Sequence, residues 1–230
     1  MIAIIGAMQE EIDILIDEMT EVQQMKMGET DFYQGQLNGR DVVVSLAGIG
    51  KVNAALTTTI LIQKYNPSRV INIGVAGSLS NKVNVLDTVY STECTYHDVD
   101  ATHFGYDIGQ VPQMVKSFIS DEYMLEQMES VLDQLPYPIH KGQVTSGDQF
   151  IGTIEQKNKV TEVQPEAIAV DMESTAIAHV CHRHQTPFLI IRSISDNANG
   201  EAMDSYEEFL EESCKRASNI VKLLLRNMID

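Results

Sequence analysis

The stretch that most limits how this chain can fold runs from Ile168 to Asp196, IAVDMESTAIAHVCHRHQTPFLIIRSISD. Ile168, Ala169 and Val170 form a short apolar run that stops at Asp171-Met172-Glu173. Ser174 to His184 then sets apolar residues at Ala176, Ile177, Val180 and Cys181, the spacing of one helix face. Thr186-Pro187 breaks that pattern, and Phe188 to Ile191 make a second apolar run ending in Arg192-Ser193-Ile194-Ser195-Asp196. Strand, helix and strand with short joints predict a βαβ unit, whose crossover is right-handed almost without exception. Its two strands are expected to run the same way and to finish at the carboxyl edge of the sheet, where open α/β sheets bind ligands. Two carboxylate clusters and Arg192 would then converge on one crevice.

The other segments extend the alternation. Ile2 to Ile5 reads as a buried strand, followed by a helix with Met8, Ile12, Leu15, Ile16 and Met19 on its apolar face. Glu10 and Glu11 fall in its first turn, where the helix dipole favours acids and where a carboxylate would also face the crevice. FYQGQL and VVVSL around Asn38-Gly39 predict a hairpin with a type I′ turn. A helix through Leu61, strands at 70–74, 87–96 and 139–145, a helix at 121–132 and a long final helix at 204–228 complete the pattern. With no internal repeat or linker, the 230 residues are expected to form one domain, 1–230.

Thirty-three acids against 16 bases give a net charge of −17, which argues against nucleic acid and anionic membrane as partners, since both need a cationic footprint. No run reaches the roughly 18 apolar residues of a membrane span. The first residues, MIAIIG, read as a strand rather than a signal peptide. Three cysteines, far apart and outside CxxC pairs, fit a reduced, cytoplasmic setting.

The glycine loop Ala47-Gly48-Ile49-Gly50-Lys51 fits neither phosphate template: Ser45 and Val52 break the Walker pattern, and Asn53 replaces the third glycine of a dinucleotide fingerprint. Val75-Ala76-Gly77-Ser78, small residues closing a strand, would let a ligand approach the backbone. Residues 98–116 lack a sustained period but hold Phe104, Tyr106 and Pro112; a lid or subunit contact is expected there rather than a metal site. Phe150 is either core or a base-stacking platform. His179, His182 and His184 suit a helix C-terminus better than a metal.

Taken together, IIGAMQEE at 4–11, AGIGKVNAA at 47–55, VAGS at 75–78, HDVDATHFGY at 97–106, SGDQFI at 146–151, AVDMESTAIAHVCH at 169–182 and RSISD at 192–196 resemble the methylthioadenosine/S-adenosylhomocysteine nucleosidases of the nucleoside phosphorylase superfamily. The resemblance covers essentially the whole chain, and the two segments at 169–182 and 192–196 carry most of its specificity. It implies a three-layer α/β/α fold with a mixed sheet, a homodimer whose loop around Phe104 and Pro112 covers the partner's pocket, and no cofactor or metal. It also implies roles. Asp196 would donate a proton to adenine N7, which needs a raised pKa that burial among Ile190, Ile191 and Ile194 could supply. Glu11 would hold the attacking water and take its proton. Glu173 would accept from the ribose hydroxyls, with Met172 under the ring, while Arg192 and Ser195 orient water and acid. Phe150 would stack on adenine and the Ile151 backbone would read its edge. Ile49, Met8, Phe104, Pro112 and Tyr206 would surround an apolar 5′ group.

Two residues depart from the family pattern: Val75 stands where a small polar residue is usual, and Asp171 where a glutamate is. Two other functions remain open at this stage. A nucleoside phosphorylase would need basic groups around phosphate, whereas this first joint carries Gln9-Glu10-Glu11. A non-catalytic nucleoside sensor would have no use for both an acid and a base.

Overall fold

The structure, a computed structural model, describes residues 1–197 and 202–228. Strand β1 (Ile2–Gly6) is wholly buried and leads through Ala7-Met8 into helix α1 (Gln9–Glu18). An exposed edge strand follows, β2 (Thr20–Met27), then β3 (Thr30–Leu37) and β4 (Arg40–Leu46). The last two form the expected hairpin: Leu37 pairs with Arg40, and Asn38 and Gly39 take φ of 52° and 77°, as a type I′ turn requires. Strand β2 is not expected from the sequence, because TEVQQMKM has neither a sustained alternation nor an apolar run.

Helix α2 (Lys51–Tyr65) precedes the long strand β5 (Arg69–Ser78), then β6 (Thr88–Tyr96) and the short β7 (Phe118–Ile119). Next come α3 (Glu122–Val131), β8 (Ile139–Ser146), α4 (Ile154–Val163), β9 (Ala167–Asp171), α5 (Ser174–His184), β10 (Phe188–Asp196) and α6 (Ala202–Asn227). Helix α4 was also unforeseen, although Thr153 and Gln156 make a capping box, with the Gln156 N–H donating to Thr153 Oγ1 at 3.2 Å. The expected helix and strand positions elsewhere match to within a few residues.

The sheet is mixed and runs β10-β6-β8-β9-β5-β1-β4-β3-β2, with β10 also paired to β5. That extra pairing closes β5, β10, β6, β8 and β9 into a ring, while β1, β4, β3 and β2 continue as an open wing. One apolar layer packs α2 and α5 on the sheet through Ala54, Leu61, Ala176, Ile177 and Cys181. The opposite layer packs α1, α3 and α6 through Ile12, Leu15, Met128, Ile220 and Leu224. This is the three-layer α/β/α arrangement.

The βαβ expectation needs correction. β9 and β10 are not parallel neighbours: β10 runs parallel to β5, and β9 pairs with the same strand antiparallel. The two strands therefore approach the end of β5 from opposite directions. Gly77 faces Val170 on one side and Asp196 on the other. A Cβ at Gly77 would lie 3.0 Å from Asp196 Oδ1 and 3.4 Å from Val170 Cγ1, so glycine is what lets both strands close in. The carboxylate clusters do meet, through ring closure rather than a shared parallel edge.

Candidate active site

Where β1, β5, β9 and β10 end, a cavity of about 290 Å³ opens, close to the lower bound for small-molecule sites. Its walls include Met8, Glu11, Ile49, Val75, Ala76, Gly77, Phe150, Ile151, Asp171, Met172, Glu173, Ser195, Asp196 and Tyr206, all expected from the sequence, together with Ala7, Gln149 and Val170. Arg192 lies buried behind these walls, and Phe104 and Pro112 line no part of the cavity. Phe104 is 77% exposed. Phe150 is 42% exposed, which overturns its core alternative; its ring meets Tyr206 edge-on at 6.1 Å.

Glu11 shows how local and tertiary demands coincide. Its place in the first turn of α1 lets Oε2 accept from the Ala7 and Met8 N–H groups at 2.6 and 3.0 Å, satisfying helix-terminal donors. Oε1 accepts from the Val75 N–H at 3.1 Å. Burial raises the Glu11 pKa, against the opposing pull of Arg192 and the three N–H donors. Gly74 leaves the room this needs, since a Cβ there would lie 2.5 Å from Glu11 Oε1 and 3.1 Å from Arg192 Nη1. Any side chain at 74 would displace the carboxylate.

Asp171 and Glu173, two residues apart, have different partners. Asp171 Oδ1 accepts from Ser146 Oγ at 2.5 Å and the Glu173 N–H at 3.3 Å, and Oδ2 accepts from Arg192 Nε at 2.6 Å and from the Ser174 hydroxyl. Its acceptor sites are thus taken up by the protein. Arg192 also donates through Nη2 to Asn72 Oδ1 at 2.5 Å. Burial alone would favour proton loss from Arg192, but Asp171, Glu11 and Glu173 outweigh it and hold the guanidinium charged. The Glu173 side chain accepts, among the described residues, from the Gly50 N–H alone, at 2.8 Å. Burial, then the charge of Asp171, pushes its carboxyl up to about 8.

Asp196, at the end of β10, is 2% exposed, and Ser195 Oγ donates to its Oδ2 at 3.1 Å. The Lys157 ammonium on α4 donates to the Asn197 carbonyl at 3.2 Å and feels the charge of Asp196. Tyr206 donates to Met8 Sδ at 3.0 Å, closing the apolar end. Three carboxyl groups, Asp171, Glu11 and Glu173, thus act on the one buried guanidinium, and burial raises the pKa of Glu11 and Glu173 despite it. Such a set supports proton transfer at one end and cation stabilisation at the other.

The sequence gives Asn72, Ser146, Gly50 and Lys157 no role in the site, because each acts on a group that only folding brings near. Histidines 179 and 182 take structural places: His179 stacks on Phe118 at 4.6 Å and its Nδ1 lies 3.2 Å from the Tyr96 hydroxyl, and His182 meets Phe118 edge-on. Among the described residues no three His, Cys, Asp or Glu side chains are grouped to hold a metal ion.

The model of the phosphorylase superfamily matches residues 1–228. A 5′-methylthioadenosine/S-adenosylhomocysteine nucleosidase of Staphylococcus haemolyticus is 47% identical over 98% of this chain and 99% of its own. The chain belongs to the methylthioadenosine/S-adenosylhomocysteine nucleosidase family. Two crystal structures of nucleosidases of that name agree. One from Colwellia psychrerythraea, in complex with adenine, superposes with a TM-score of 0.96 at 38% identity, covering 100% of this chain and 97% of the other. One from Neisseria meningitidis, in complex with methylthio-immucillin-A, superposes with a TM-score of 0.97 at 38% identity, covering 99% of each. Nucleosidase-family membership therefore spans both the wing and the ring of the sheet.

Proposed function

We propose that this chain hydrolyses the N-glycosidic bond of 5′-methylthioadenosine and S-adenosylhomocysteine, and of 5′-deoxyadenosine as well, releasing adenine and the 5′-substituted ribose. The observation that carries this reading is the pairing of two buried carboxyl groups, Glu11 and Asp196, in the walls of one cavity. Breaking the bond leaves positive charge on the sugar and negative charge on the base, so an acid is needed at the base and a base at the water. Asp196, oriented by Ser195, protonates N7 as the C1′–N9 electrons move into adenine. Glu11 takes a proton from the water whose oxygen bonds C1′. Glu173 accepts from the ribose hydroxyls and stabilises the sugar cation above Met172. Phe150 stacks on the base, the Ile151 backbone reads its edge, and Ile49, Met8 and Tyr206 accommodate the alkylthio group.

The structure favours water over phosphate as nucleophile. Among the described residues no Lys or Arg lines the cavity, and Arg192 is already paired with Asp171. In the cell the reaction would serve methionine salvage and the clearance of S-adenosylmethionine by-products. A cytoplasmic place accords with the free, buried Cys94, Cys181 and Cys214. Among the described residues no helix is long and apolar enough to cross a membrane.

The reading includes a homodimer. Val52 and Leu56 on α2 are 76% and 55% exposed beside a groove that Val111 and Val180 also line. In this reading a second copy seated there brings Phe104 and Pro112 to the partner's cavity; in their own chain neither lines the cavity that holds Glu11 and Asp196.

Adenine release from methylthioadenosine with phosphate omitted and then added tests the chemistry. The expected result is phosphate-independent release, abolished in Asp196→Asn with substrate binding retained. Strict phosphate dependence, or full turnover by Asp196→Asn, would sink the assignment.

A further inference from the structure

Gly50 precedes helix α2 as its N-cap, and with a φ of 96° and no side chain it leaves the helix without a cap of its own. Two carboxylates from elsewhere in the chain replace it. Glu173 Oε1 accepts from the Gly50 N–H at 2.8 Å, and Asp148 Oδ1 accepts from the Lys51 N–H at 2.8 Å. The Lys51 side chain then turns back. Its Nζ lies 2.8 and 2.7 Å from the two oxygens of Asp98, 3.9 Å from Asp148 Oδ2 and 5.3 Å from the centre of the Tyr96 ring. The loop is completed by the Asp148 N–H, which donates to Asp98 Oδ2 at 2.9 Å.

This closed circuit joins three segments distant in sequence. Lys51 follows Gly50, the donor to Glu173. Asp148 precedes Gln149, Phe150 and Ile151, which form the base wall of the cavity. Asp98 opens the long loop that ends near Phe118. A partly exposed ion pair contributes little to stability, so strength alone does not account for a geometry this complete. Position does: a carboxylate a fraction of an ångström out of place loses its hold on a transition state.

We propose that Lys51, Asp98 and Asp148 are positioning residues for the hydrolysis: they fix the first turn of α2 so that the Gly50 N–H stays on Glu173, and they tie that sugar-side carboxylate to the wall that carries Phe150. Substrate touches none of the three. Loosening the circuit at any corner frees the Gly50 N–H, and Glu173 loses the hydrogen bond that favours its charged form. The inference rests on the sugar-binding role given above to Glu173.

The test uses the full chain with Lys51→Met, Lys51→Arg and Asp148→Asn, read by steady-state kinetics on methylthioadenosine, by melting temperature and by the pH profile of kcat/KM. Lys51→Met and Asp148→Asn are expected to lower kcat/KM by about 10- to 100-fold. Their acidic limb should move to higher pH, because Glu173 then needs a higher pH to ionise. Asp171, Arg192 and Glu11, which face Glu173, are unchanged in these variants; Lys51→Met removes a positive charge and Asp148→Asn a negative one, so a rise common to both reports the Gly50 bond rather than the lost charge. Lys51→Arg, which can still span both carboxylates, should restore most of the rate. Rates within about twofold of the parent in both variants, once corrected for the folded fraction, with an unmoved limb, would overturn the proposal. Glu173→Gln separates the two ideas. If that variant turns over normally, the role of Glu173 is wrong; if it is inactive while Lys51→Met and Asp148→Asn are normal, only the clamp is.

Discussion

Glu173 ionises against its surroundings, with burial and the neighbouring Asp171 lifting its carboxyl from 4.5 to about 8. A carboxyl whose folded pKa lies above its unfolded value contributes stability that is complete below the unfolded pKa and is lost as pH rises through the folded one. Charging Glu173 inside the ligand-free fold costs on the order of a few kcal/mol. The melting temperature of the ligand-free protein should therefore fall as pH rises from about 5 to about 9, and Glu173→Gln should remove much of that slope. Glu11, also raised, leaves a remainder of the same sign. A parent protein whose melting temperature ignores pH over that range would show that Glu173 holds no such proton. The sequence displayed the acids but not this division of labour. Asp171 and Glu173 look alike in DME and both line the cavity, yet the oxygens of Asp171 are taken by Ser146, Ser174 and Arg192, while the Glu173 side chain accepts from the Gly50 N–H.

Among the elements, α4 shows a signal that was readable and went unread. Thr153-Ile154-Glu155-Gln156 is a capping box in plain sequence, yet the helix buries only Val160, so hydrophobic periodicity gave it no support. Thr153→Ala removes the oxygen that accepts from the Gln156 N–H. The expected loss is about 1 kcal/mol of unfolding free energy in a urea titration. An unchanged midpoint would mean that α4 is held by its other contacts alone. Strand β2 is the converse case. Its residues are exposed almost throughout, and among the described residues it pairs only with β3, so it exists because a neighbouring strand offers unpaired donors and acceptors. Nothing in TEVQQMKM could announce that.

For the molecule as a whole, ring closure and the proposed pairing of two copies decide the site. An apolar face on α2 with Val52 three-quarters exposed is unusual for an unpartnered surface. Val52→Glu should shift the protein from dimer to monomer in sedimentation equilibrium and raise KM for methylthioadenosine, because each cavity loses the partner's loop. A parent that sediments as a monomer would remove the homodimer from the reading. The chain by itself determined the alternation of strands and helices and the Asn38-Gly39 turn, because these follow from local periodicity and turn chemistry, while the proposed acid and base were named by resemblance to the nucleosidases. Tertiary structure alone decided that β9 meets β5 antiparallel, that Asp171 serves Arg192, and that Gly50 caps its helix with Glu173. Those outcomes depend on which strand edges and buried charges find each other across long sequence separations, and no local pattern encodes that choice.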